Sequence, residues 1–313
     1  MCVLRMAGDD ALAETQTLLS NPRKQATPRH RIVIFFRNRT NGMLYVILAI
    51  FGCASGITTV LFGFGGGFVV VPVLYGVLTA THGANDAIGQ SAMHIAVATS
   101  TCVMIVNSIA ATRKHQRAGN ILRAYVWPLA GFIAVGALLG AWAATRASGD
   151  LVRVAFIVYL GVTILDCVLR QGFMAQHAAQ TPRPLGQGVV VGGGVVIGTI
   201  ATFLGVGGSV MTVPLLRRRG LPMAKAAAMA NPLTLPVALV GTVAYMAAAR
   251  SLPAALAPWI VGYVDLLAFA ALALGSLIGI RLGAPLIPRI PDRLHARVYI
   301  LLLALVMLSM LLI

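Results

Sequence analysis

From residue 43 onward the chain is a succession of long apolar runs, and that succession admits only one kind of solvent. The runs lie at roughly 43–62, 66–80, 88–111, 124–145, 151–170, 188–204, 207–217, 226–248, 258–281 and 294–313. A helix of about 20 apolar residues crosses a bilayer, and most of the runs are that long. Hydrophobic residues fill 58% of the 313 positions and charged residues only 10%, against about 25% charged in soluble domains. Too few polar side chains remain to cover a water-facing surface. The predicted fold class is therefore all-α, a polytopic integral membrane protein.

Two runs, 66–80 and 207–217, are too short to span. Each follows a glycine cluster, and the clusters match at an offset of 142 residues. Gly63-Phe64-Gly65-Gly66-Gly67 followed by Pro72 returns as Gly205-Val206-Gly207-Gly208-Ser209 followed by Pro214. Upstream, Gly52 and Gly56 correspond to Gly194 and Gly198. Further on, Gly136 to Gly140 parallels Gly275 to Gly279. Each half thus holds five apolar segments in one order, with eight full spans expected and two short segments broken by Gly and Pro. Interrupted backbone survives at membrane depth only where protein or a wet cavity surrounds it. Matched interruptions in two halves point to a transporter's binding site.

Loop charge orients the halves. The loop from Thr79 to Ala87 has no Lys or Arg, whereas its counterpart carries Arg217, Arg218, Arg219 and Lys225. The next loop reverses the bias, with Arg113, Lys114, Arg117 and Arg123 in the first half against Arg250 alone in the second. Opposite bias at equivalent loops predicts inverted-topology repeats with the basic loops cytoplasmic. The expected division is a basic tail at 1–42, disordered; a first membrane repeat at 43–170; a cytoplasmic linker at 171–187; and a second repeat at 188–313. The tail's cations fit that scheme poorly. Met43 is an alternative initiator, which would remove 1–42 from the mature protein.

The net charge of +16 resides in short clusters between apolar runs, a topogenic pattern rather than a nucleic-acid surface. Cys2, Cys53, Cys102 and Cys167 form no metal-ligand spacing. A Gly-x-Gly-x-x-Gly pattern fails at Phe68, and no Gly-Lys-Ser/Thr follows either cluster, so a nucleotide loop is excluded. No nucleophile–base pair or metal cluster appears. Neither enzyme chemistry nor a cofactor or metal is expected.

The doubled Gly-x-Gly-Gly-(Gly/Ser)-x4-Pro motif resembles that of the TauE/SafE family of sulfite and organosulfur anion exporters, and the resemblance covers about residues 43–313. It implies a multi-pass protein of a bacterial cell membrane that moves a small anion such as sulfite or a sulfonate, most naturally outward. Ala98-Thr99-Ser100 is a second family-like element. Its counterpart, Ala230-Asn231-Pro232, departs from the family's Thr-Ser pair.

Exposed backbone N–H groups at a helix start suit an anion. The expected binding residues are therefore Gly65, Gly66, Gly67 and Pro72 with Gly207, Gly208, Ser209 and Pro214, joined by Thr99, Ser100 and Asn231. Thr101 and Thr234 are further neutral donors on the same segments. His94 and Asp265 are ionisable groups within apolar runs and candidates for proton coupling. Asp166 pairs with Arg170 at helical spacing instead. An anion channel and a membrane scaffold are the alternative functions.

Overall fold

The structure is a computed structural model. It describes the backbone of residues 28–82, with side chains from 42, and residues 86–170, 173, 185–248 and 258–312. The chain divides into two compact units, 1–47 and 48–313. Of the first, the described part is helical. Residues 1–27, Arg250 and most of the expected linker lie outside the described residues.

The helices are α1 (Pro28–Phe62), α2 (Gly67–Thr81), α3 (Ala87–Gln90), α4 (Ala92–Arg117), α5 (Arg123–Ala144), α6 (Gly149–Leu169), α7 (Gly194–Leu204), α8 (Ser209–Arg218), α9 (Met223–Ala248), α10 (Leu266–Gly283) and α11 (Asp292–Leu312). A π-helical turn, Val189–Gly193, leads into α7, and a 3-10 stretch, Ala284–Arg289, follows α10. A two-stranded hairpin, β1 (Ile260–Val261) and β2 (Val264–Asp265), precedes α10.

Among the described residues seven helices are long and apolar enough to cross a membrane, one fewer than the sequence suggests. The exception is the expected span at 188–204. Its apolar helix runs Val189–Leu204, about 24 Å at 1.5 Å per residue, and it begins in the π turn beside Gly192, Gly193 and Gly194. Leu138, Val158, Val162, Leu274, Leu301 and Leu305 point outward and are largely exposed, as a lipid-facing surface requires.

Local chemistry sets several helix starts. Ser148 accepts from the Leu151 N–H at the start of α6, and Asp265 accepts from Leu267 and Ala268 at the start of α10, both at 3.0 Å. The third helices, α4 and α9, form the centre, with 72% and 67% of their apolar windows buried against 28% for α6 and 33% for α11. Thr242 on α9 donates to Thr101 on α4 at 3.1 Å across that central contact.

The glycine pairs noted in the sequence sit where helix backbones touch. Gly52 and Gly56 of α1 lie on the backbone of Leu272 and Ser276 in α10, while Gly275 and Gly279 of α10 lie on Ala49 and Cys53. The same arrangement recurs between α5 and α7: Gly136 and Gly140 lie on Val195 and Thr199, and Gly194 and Gly198 on Phe132 and Ile133. The first helix of each half packs on the fourth helix of the other. Small residues permit this approach, which replaces the hydrophobic drive that lipid removes.

Gly140→Leu is expected to destabilise the fold by about 1–3 kcal/mol through overpacking, whereas Gly131→Ala, which meets nothing within 4 Å, leaves it unchanged or slightly firmer. Thermal unfolding of the two variants in detergent checks the contrast.

Candidate functional site

Both glycine clusters are linkers between helices. Helix α1 ends at Phe62, the chain turns through Gly63, Gly65 and Gly66 at φ of 77°, 67° and 97°, and α2 starts at Gly67. Those left-handed angles strain any residue with a β-carbon. Helix α7 ends at Leu204 and α8 starts at Ser209, with only Gly205 left-handed in between, at 67°. The two linkers touch. A β-carbon at Gly67 would lie 2.5 Å from the Gly205 carbonyl oxygen, and one at Gly207 would lie 2.8 Å from Thr234 Oγ1 and 3.2 Å from the Phe64 carbonyl oxygen. A β-carbon at Gly65 would likewise lie 2.7 Å from Thr234 Cγ2. The linkers therefore meet over Thr234 of α9, and every residue from Gly63 to Gly67 and from Gly205 to Ser209 is buried.

The surroundings of the linkers differ. Gly66 faces the Asn107 amide and Ser55 Oγ. Ser55 donates to the Gly66 carbonyl at 3.1 Å, Asn107 Nδ2 approaches Ser55 Oγ at 3.5 Å, and Ser276 donates to Asn107 Oδ1. All three side chains are fully buried. At the matching position Gly208 faces Ile197 and Ala201. One linker lies against a polar cluster and the other against methyl groups. Ser209 Oγ stays with its own loop, 3.4 Å from the Gly207 carbonyl. Ser100 Oγ donates to the Gly205 carbonyl at 2.7 Å and so pins the second linker to α4.

Breaking the helices frees carbonyls in the protein interior, and buried side chains take them up. His115 Nε2 lies 2.8 Å from the Val60 oxygen and His295 Nε2 2.8 Å from the Leu61 oxygen. A carbonyl only accepts, so each imidazole carries its proton on Nε2. Pro214 has no N–H and cannot bond the Val210 carbonyl four residues back. Tyr299 Oη donates to that carbonyl at 3.2 Å.

The comparisons with known proteins agree with this architecture. A family model described as "Sulfite exporter TauE/SafE" matches residues 48–310. The chain belongs to the TauE/SafE family. A protein of Haemophilus influenzae named "Probable membrane transporter protein" is 27% identical over 182 residues, which cover 56% of this chain and 63% of that relative. The match thus spans less than two thirds of the relative's length. No solved structure matches.

Three of the expected residues gather at a second place in this TauE/SafE protein. The backbone N–H of Asp265 donates to Thr99 Oγ1 at 3.0 Å, joining the hairpin to α4. The His94 ring stands 5.5 Å from that of Tyr263, and its Nε2 is 3.1 Å from the Ala147 oxygen. Asp265 caps α10, and its burial pushes the carboxyl above the usual carboxylate range against the pull of the Ala268 and Leu267 N–H groups and His82. Burial also pushes the Tyr263 hydroxyl up. Asn231 donates to the Ala227 carbonyl at 3.3 Å, and its buried Oδ1 has no partner among the described residues. Asp166 bonds both Arg170, as the spacing suggests, and Arg218.

Residue type and spacing do not single out Ser55, Asn107, Ser276, His115 or His295. The only available signal is a polar residue inside an apolar run, as at Asn107, and it does not reveal the partner. Among the described residues no cluster of metal-ligating side chains occurs, and Cys53, Cys102 and Cys167 are unpaired thiols.

His295→Leu is expected to cost about 1–3 kcal/mol by stranding the Leu61 carbonyl, and His295→Gln, which keeps a donor, less; equal losses in detergent unfolding would remove the carbonyl contact as the cause. Asp265 has a raised folded-state pKa, so its stabilising share is full below about pH 4 and is lost as pH rises through the folded value. Relative to wild type, Asp265→Asn should therefore gain thermal stability between pH 4 and pH 7. A difference independent of pH would contradict this account.

Proposed function

We propose that the protein is a secondary transporter that exports small anions across a bacterial inner membrane, with sulfite or an organosulfonate as the substrate class. The observation that carries the reading is the contact between the two glycine linkers at Gly67–Gly205 and around Thr234. Each linker opens onto a helix start, α2 at Gly67 and α8 at Ser209. A helix start offers N–H groups and the positive end of the helix dipole to an oxyanion.

In this reading Gly65, Gly66, Gly67, Gly207, Gly208 and Ser209 bind the anion. Pro72 and Pro214 mark the short helices, and Thr99, Ser100 and Asn231 line the approach. Neutral donors suit a substrate that must also be released. The family and the relative's printed name support transport, and the family's description supports sulfite. The two matched crossings, α1 on α10 and α7 on α5, support inverted repeats that rock against one another about the linkers. Export accords with a negative-inside potential, worth about 2.3 kcal/mol per charge at 100 mV. Asp265 is the proposed proton-coupling residue, with His94 beside Tyr263 as the second. Its support is the bond that joins its backbone to Thr99.

Purified protein in liposomes should carry saturable sulfite or sulfonate flux with counterflow. Asn107→Ala, which leaves the glycine backbone intact, should lower that flux at least tenfold, and Gly66→Leu and Gly208→Leu should abolish it along with thermal stabilisation by the anion. Unsaturable flux would indicate a channel. Absence of flux for every small anion would indicate a scaffold.

A further inference from the structure

We propose that the groove between α6, α7 and α8 is a binding site for one anionic phospholipid. This inference does not depend on the proposed transport. The groove encloses a cavity of about 690 Å³ whose walls are mainly apolar, formed by Val158, Val162, Val196, Phe203 and Met211 among others. Val158 and Val162 are more than half exposed on the outward face of α6, so the groove opens toward the bilayer. At one end stand Asp166, Arg170 and Arg218.

The charge at that end is unbalanced. A single carboxylate, Asp166, bonds both Arg170, at 3.4 Å, and Arg218. Two guanidinium groups against one carboxylate leave one positive charge at the mouth. The Arg218 side chain is 24% exposed and the Arg170 side chain 74%, so both can present N–H donors to an acceptor oxygen. The ligand must therefore combine an anionic head with a long apolar body. A small hydrated anion would lose its water against the apolar walls without new partners. A neutral lipid would leave the arginines unanswered. Basic pockets between membrane helices recognise anionic headgroups in this way.

The groove reaches inward to Ile197, whose Cγ2 would lie 2.9 Å from a β-carbon at Gly208. An acyl chain seated there packs against the residue that backs the second linker.

The test uses the full chain in a mild detergent, with native mass spectrometry and thermal shift read against dioleoyl-phosphatidylglycerol, dioleoyl-phosphatidylcholine and free glycerol phosphate. Phosphatidylglycerol should be retained at least fivefold over phosphatidylcholine and should raise the melting temperature, while glycerol phosphate does neither. Arg170→Gln should reduce the preference about fivefold, the usual worth of one interfacial cation. Asp166→Asn, which raises the charge at the mouth, should increase it, a gain that misfolding would not produce. Ile200→Trp, which fills the groove, should abolish retention. Equal retention of the two lipids, stabilisation by glycerol phosphate alone, or a preference untouched by Arg170→Gln and Asp166→Asn would overturn the proposal.

Discussion

The structure depends on satisfying backbone that is interrupted inside the buried interior of a membrane protein. Lipid offers no hydrogen bonds, so each carbonyl freed at Gly63 or by Pro214 must find a partner inside the protein. It finds them on other helices. His115 of α4 and His295 of α11 take the end of α1, Tyr299 of α11 takes the carbonyl that Pro214 leaves, and Ser100 of α4 takes Gly205. These contacts bind the central helix α4 and the peripheral helix α11 to the linkers. At the other end of α8, Arg217, fully buried, bonds Asp292 and the Phe173 carbonyl, and Asp292 also accepts from the Met223 N–H. Helices α8, α9 and α11 are thereby held as a set.

The two glycine linkers have matched helix crossings but not matched surroundings. The swapped glycine crossings are nearly identical in kind, because close helix approach requires only small residues at matched positions. The linkers diverge because their neighbours are free to differ once the crossing is secured. Ser55, Asn107 and Ser276 surround Gly66, whereas Ile197 and Ala201 face Gly208. Only the first linker needs three left-handed glycines. In the proposed transporter the first half accordingly supplies most of the polar contact and the second half most of the packing.

Much of this was legible in the sequence, and the boundary is physical. Apolar length announces the spans, and the register of Gly52 and Gly56 against Gly194 and Gly198 announces equivalent crossings, since both are local patterns. The doubled motif likewise places two helix breaks. What periodicity does not carry is pairing between distant segments. Asn107 and Ser276 are 169 residues apart, and His295 and Leu61 are 234 apart. The segment expected at 188–204 is found at Val189–Leu204, and its three consecutive glycines lie in and beside a π turn that periodicity does not announce. Asp265 stood out as an acid in an apolar run. The structure starts the helix only at Leu266, partway along that run, so Asp265 caps it.

In the proposed transporter the interruption persists in order to hold an oxyanion where the linkers meet. Selenite, an electron-rich counterpart of sulfite, makes that position directly observable by anomalous diffraction. A peak within hydrogen-bonding distance of the N–H groups at Gly66, Gly67 or Ser209 is the predicted result. A transported selenite that gives its peak elsewhere, with none at the linkers, would contradict it.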